Sequence, residues 1–385
     1  MDGWQLLFEL IGVAVCGKAP TEALKQACTP EALEAAYSIG TAHDLAHLVG
    51  QGAGKLQLAD SEPMQKSKKA AMYALFRHTR QEFACQSACM ILEQGKIPFI
   101  PLKGSVLRQW YPEGWMRTSC DVDILVRERE LTQARSLLEA KNWRYIKSSS
   151  HDISLLSPEG VHLELHHTTL EDCISEAGAA IMAEIWQDAK PVAGREYQMV
   201  ISDGLFYYYH MAHMAKHFLA GGCGIRSFLD IWILNHRIDF DPVPRTALLE
   251  RGGLTAFAKA AEKLSEIWFS DQPMDEMSQC FQAFVLNGGT YGTLGNQVSL
   301  QQAKKGSRFR FLWERIFLPY SFLKYSYPVL QKHKWLTPVF WVVRWFRLLF
   351  GGKVAVSVEE LKKSAEVTED TQAAARTLLH YLELA

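Results

Sequence analysis

LKGSVLRQWYPEGWMRTSCDVDILV, residues 102–126, places a Gly-Ser turn ahead of two aspartates that alternate along an apolar run. The Val, Ile and Leu residues around Asp121 and Asp123 predict a strand, and side chains two apart in a strand project from one face. Two anions held that close repel each other. A divalent cation is the usual compensation, and hard carboxylate oxygens are what Mg²⁺ takes when it shares its other positions with phosphate. A third acid comes from VHLELHH, residues 161–167, where His162, Glu164 and His166 also alternate onto one face. With that strand beside the first, Glu164 completes a three-carboxylate site. Gly104 and Ser105 supply the complement: glycine lets the chain turn sharply and brings backbone N–H groups at a helix start close to an anion.

Outward from this stretch, IPFIPL (97–102) reads as a short strand, SVLRQWY (105–111) as a short helix and RELTQARSLLEAKN (129–142) as an amphipathic helix. WRYIK (143–147) reads as a strand, and ISLLSPEGVHLELHH (153–167) as two strands joined by a Pro-Glu-Gly turn. These form a small mixed unit over 95–170. Before it, residues 1–94 read as helices: one follows a Thr29-Pro30 start, and another keeps helical apolar spacing until Gly95. Helices return over 171–303, and residues 304–385 hold a basic, aromatic-rich segment and a last helix that opens at Ser357 with Glu360 in a capping-box pattern. The expected fold class is α+β, a small mixed-sheet core flanked by helical regions on both sides.

Of 385 residues, 48% are hydrophobic and 22% charged, which is globular composition and excludes dominant disorder. The formal charge of −1 hides an asymmetry: residues 304–353 carry eleven Lys/Arg against Glu314, a net of +10. Fourteen aromatics lie within 308–350. Three readings fit this segment: core aromatics with solvated cationic heads, a helix lying in an anionic membrane surface, or stacking on single-stranded nucleic acid. The first is the default. The acidic remainder of the chain, which would repel a polyanion, makes nucleic acid the least favoured. The apolar run 336–350 is broken by Arg344 and Arg347 and is too short to span a bilayer. The N-terminus has no basic n-region, so no secretory signal is read and a cytoplasmic location is expected, with peripheral membrane contact through 304–353 as the alternative. Eight scattered cysteines without a repeated C-x-x-C fit reduced thiols, with Cys85 and Cys89 as packing residues. P-loop and dinucleotide glycine patterns are absent.

As a set, IPFIPLKGS, LRQWYP, MRTSCDVDILV and VHLELHH resemble the bacterial uncharacterised nucleotidyltransferase family of the DNA polymerase β-type superfamily. The resemblance extends into HMAHMAKH and IRSFLDI. It implies a nucleotidyltransferase core, a Mg²⁺ cofactor with Mn²⁺ as the alternative, and transfer of a nucleoside monophosphate from an NTP donor, ATP foremost. The acceptor would be a hydroxyl of a small molecule or a protein. By the same resemblance Asp121, Asp123 and Glu164 would be the catalytic and metal-binding acids, with Gly104 and Ser105 holding the triphosphate. Cys120, before the first aspartate, departs from the small or polar residue usual there. Lys103, Arg117 and Lys216 are the cationic candidates for nucleotide binding, Arg117 equally for orienting the Asp121 loop and Lys103 equally as a surface lysine. Helices of 171–303 would close the nucleotide cleft. The rival class is a catalytically inactive NTP-binding or membrane-proximal interaction module on the same fold.

His210, His213 and His217 fall near one face of a helix, where either metal binding or polar packing would account for them. His43 and His47, also four apart, lack the glutamate of a metalloprotease helix and read as structural.

Overall fold

The computed structural model describes residues 1–58, 61–169, 173–290, 292–305, 313, 316–320, 323, 327, 329–350 and 367–384. The chain forms two compact units, Met1–Lys216 with Gly224–Ser278, and His217–Cys223 with Gln279–Ala385.

In the first unit, helices α1 (Gly3–Ile11), α2 (Glu22–Ala27), α3 (Pro30–Ala42) and α4 (Ala46–Lys55) precede the long α5 (Glu62–Gln94). The Thr29-Pro30 signal works as expected: the Thr29 hydroxyl accepts the Ala32 N–H and proline occupies the first turn of α3. Small residues make α5 a close neighbour of the sheet. Ala84, Ala88 and Leu92 are fully buried against Val122, Ile124 and Val126. Cys85 and Cys89 pack at the margin of this core.

The sheet has five strands, β1 (Phe99–Pro101), β2 (Asp121–Val126), β3 (Arg144–Ser148), β4 (Asp152–Leu156) and β5 (His162–His166), in the order β1-β2-β5-β4-β3. β2 and β5 run parallel; the other pairs are antiparallel. The short helix α6 (Gly104–Leu107) follows β1, and α7 (Leu131–Glu139) links β2 to β3. Alternation decides the layout. Val122, Ile124, Val126, Leu163 and Leu165 enter the core, each contributing roughly 1.5–3 kcal/mol on leaving water, while the intervening residues are forced to the other face. β3 is exposed along its length, and its arginine and lysine suit an edge.

After the sheet come α8 (Glu176–Ala183), α9 (Ile185–Asp188), the small ribbon β6 (Lys190–Pro191) and β7 (Met199–Val200), then α10 (Asp203–Leu219), α11 (Ile225–His236), α12 (Pro242–Gly252) and α13 (Thr255–Phe269). The Tyr197 carbonyl accepts the Phe99 N–H, covering the outer edge of β1. Phe8 of α1 stacks on Trp268 of α13 at 4.4 Å, tying the N-terminal helices to the later ones. The architecture is therefore α+β, as expected.

The second unit contains α14 (Glu276–Gly288) from Gln279 onward, then α15 (Leu294–Lys305), α16 (Val329–Lys332), α17 (Thr337–Phe350) and α18 (Glu369–Tyr381). Here the Gln372 side chain donates to the Gln302 carbonyl, joining α18 to α15. The expected capping box at Ser357 lies outside the described residues; α18 is instead capped by the Thr368 hydroxyl, which accepts the Thr371 N–H. Among the described residues no helix is long and apolar enough to cross a membrane.

Candidate functional site

Parallel pairing of β2 and β5 puts Asp121 opposite His162 and Asp123 opposite Glu164. All three acids therefore share one face of the sheet, opposite the core. His166, the other end of the His162-Glu164-His166 alternation, is next along that face. Its Nε2–H donates to Asp123 Oδ1 at 2.9 Å and lies 3.5 Å from Glu164 Oε2. Lys103 Nζ donates to the same Asp123 oxygen at 2.9 Å. Asp123 is thus a buried carboxylate flanked by an ammonium and an imidazole.

Burial alone would raise the Asp123 pKa, but the Lys103 ammonium and the His166 hydrogen bond hold it well below the usual carboxylate range. Asp121 and Glu164 behave oppositely. Burial, then the Asp123 charge, pushes both above their ordinary values. His166, despite burial, is raised by its bond to Asp123 and by that charge, which favours the imidazolium. Burial and the neighbouring Asp123 charge thus disfavour the ionised forms of Asp121 and Glu164, a condition that a divalent cation would relieve.

Asp123, Glu164 and His166 each offer one ligand atom within 4.8 Å of the others, and among the described residues they are the one such group of three. Two carboxylates and an imidazole suit a divalent ion. Asp121, half-buried and two residues along the same strand, is not part of that trio.

Lys103 opens α6 with φ +48° and ψ −121°, a left-handed conformation unusual for lysine and of the sort held only where the surroundings impose it. Gly104 follows, packed so closely that a Cβ would lie 3.3 Å from the Ser119 Cβ. The Ser105 hydroxyl is buried beside the Cys85 thiol, turned toward α5. Ser105 also lines a cavity of about 880 Å³ shared with Trp110, Arg195 and Phe206.

The segment leading into β2 is anchored at each residue. Arg117, a buried residue, donates through Nε to Asp230 at 2.7 Å, and Tyr111 donates to the same oxygen at 2.7 Å. Thr118 Oγ1 donates to Asp44 at 2.7 Å, and its carbonyl accepts from Arg226 at 3.0 Å. Asp44 also receives Arg77. Gln81 Nε2 donates to the Ser119 carbonyl at 2.7 Å. Cys120 is exposed. The guanidinium of Arg117 is thus committed to Asp230, while Arg226 reaches the loop beside Asp121.

Lys216 is half-buried on α10. On the same helix, His210 donates through Nε2 to the Ser227 carbonyl at 3.2 Å, and burial lowers its pKa. His43 accepts the Ile225 N–H through Nδ1, and His47 donates to the Met116 carbonyl at 2.9 Å; both are buried structural groups.

The sheet order, the acids on one face and the strained turn beside them agree with the comparison of the sequence with known families. A family model described as uncharacterised nucleotidyltransferase matches residues 29–270. No curated protein and no solved structure matches the chain. Since the match covers more than half the chain and contains the turn, both aspartates and Glu164, the chain belongs to the uncharacterised nucleotidyltransferase family.

Proposed function

We propose that the protein transfers a nucleoside monophosphate from an NTP, with ATP as the first candidate, to a hydroxyl of a small molecule or protein. The observation that carries this reading is the pairing of Asp123 with Glu164 on neighbouring parallel strands, beside a backbone turn at Gly104. Asp121, Asp123 and Glu164 are assigned as metal ligands, with His166 completing or orienting the set. Bound Mg²⁺ or Mn²⁺ would supply charge neutralisation for the attacking and leaving oxygens of an in-line displacement.

The chain's own groups do the rest. The Gly104–Ser105 backbone receives the triphosphate, and Lys103, next to it, adds positive charge that Asp123 shares. Lys216, on α10, is assigned to the nucleotide. Arg117 serves by orienting the strand lead-in through Asp230. Glu164, whose carboxyl is shifted toward higher pKa, accepts the proton of the acceptor hydroxyl. The acceptor oxygen forms a bond to the α-phosphorus, the bridging α–β P–O bond breaks, and pyrophosphate leaves.

Incubation with each labelled NTP and a host-cell extract, followed by identification of the labelled product, tests the reaction and names the acceptor. Asp121→Ala and Asp123→Ala are expected to abolish both metal-dependent NTP binding and pyrophosphate release. Wild-type protein that binds no metal–NTP complex would instead favour the non-catalytic interaction module.

A further inference from the structure

Under the Gly104 turn sits a buried cation that the chemistry above does not use. Arg108 is 4% exposed. Its Nε donates to the Gly104 carbonyl at 3.0 Å, and a terminal nitrogen donates to Ser119 Oγ at 2.9 Å. The Ser119 hydroxyl has one proton to share between the Asp121 carbonyl at 3.1 Å and Gln81 Oε1 at 3.2 Å. One side chain therefore holds the backbone of the turn and, through a single hydroxyl, the first residue of β2.

The cost of this arrangement is visible in the same residue. The other terminal nitrogen of Arg108 is buried without a hydrogen-bond partner, and the nearest acid, Glu82, stands 3.8 Å away. A desolvated guanidinium with an unsatisfied donor is unfavourable, and an apolar side chain of similar length would fill the space without that penalty. What an apolar residue could not do is fix two backbone segments at one distance, because that takes donors aimed in two directions from a rigid planar fork.

We infer that Arg108 is a positioning residue that locks the Gly104–Ser105 turn to the Asp121–Asp123 strand, setting the spacing between the phosphate cradle and the metal-binding acids. Gly104 fits the same scheme: its lack of a Cβ lets the turn seat directly on Ser119. The inference rests on the nucleotidyltransferase reading. It adds that binding of metal alone is independent of Arg108, whereas binding of nucleotide with metal depends on it.

The test compares wild type with Arg108→Met, Arg108→Lys, Ser119→Ala and the Arg108→Met/Ser119→Ala double variant. For each, the affinity for Mn²⁺ alone is measured, then the affinity for the best-bound NTP in saturating Mn²⁺, with thermal midpoints alongside. Mn²⁺ affinity is expected to stay within about twofold of wild type in all four, because the acid face is untouched. NTP affinity should fall about tenfold in Arg108→Met, a change of ~1.4 kcal/mol. Ser119→Ala should fall in the same direction by less, and the double variant should be no worse than Arg108→Met, since the hydroxyl acts through the arginine. Lysine keeps the charge but not the fork, so Arg108→Lys should recover little.

Undiminished NTP affinity in Arg108→Met, or a parallel loss of Mn²⁺ and NTP affinity, would overturn the inference. Should Arg108→Met fail to fold, Ser119→Ala decides by the same two affinities. Wild type that binds Mn²⁺ but no NTP would remove the nucleotidyltransferase reading itself, a different and recognisable failure.

Discussion

At Asp123 a single carboxylate oxygen accepts both the Lys103 ammonium and the His166 imidazole, so the electrostatics of the site are set by individual atoms rather than by a general acidic patch. The same holds for titration elsewhere in the unit. Burial lowers the His47 pKa from 6.5 to about 4, against the opposing effect of its bond to the Met116 carbonyl. A histidine with a depressed folded-state pKa favours the fold while neutral. Its contribution is intact above the unfolded value of 6.5, declines as pH falls below it and is lost near pH 4. On the order of 3 kcal/mol should disappear over that window. Urea unfolding from pH 7 to 4 should show this slope in wild type and a flatter one in His47→Gln.

Helix contacts depend on small residues as much as on large ones. A Cβ on Gly52 of α4 would come within 2.2 Å of the Leu10 carbonyl oxygen at the end of α1, where backbone cannot yield cheaply. Gly54, two residues on, meets nothing within 4 Å. Gly52→Ala should destabilise by roughly 1–3 kcal/mol through overpacking, whereas Gly54→Ala should add about 0.5–1 kcal/mol from helix propensity, as read by thermal unfolding. At this scale the sequence was most legible where periodicity is local. The DVDILV strand is β2 residue for residue, and the shared face of Asp121, Asp123 and Glu164 follows from alternation plus pairing. The anchors of the β2 lead-in were not legible. Arg117 meets Asp230 and Thr118 meets Asp44 across large sequence separations, and no spacing rule connects such pairs. His166 was visible on its strand, but its bond to Asp123 required knowing that β5 lies beside β2. Nothing in the SVLRQWY spacing marks Arg108, because its partners Gly104 and Ser119 are set by the turn and by β2.

For the whole molecule, the acid face and its anchors lie in the unit that also contains most of the family match, while the basic aromatic segment belongs to the other unit. If the three acids are a cation site, Mg²⁺ or Mn²⁺ should stabilise the first unit by mass action, about 2.7 kcal/mol at one hundred times the dissociation constant. The corresponding rise in unfolding midpoint should vanish on chelation and in Asp123→Ala. A rise that persists in Asp123→Ala would place the ion elsewhere.

Cys120 gives this chain a built-in attachment point for spectroscopy. Of the eight cysteines it alone is exposed, and it adjoins the first aspartate of β2 on a stretch whose preceding residues are anchored one by one. A maleimide reagent under mild conditions should therefore modify Cys120 first, as peptide mass mapping would show. A nitroxide or fluorophore installed there would stand one residue from the proposed ion, close enough for paramagnetic Mn²⁺ to broaden or quench its signal as the site fills.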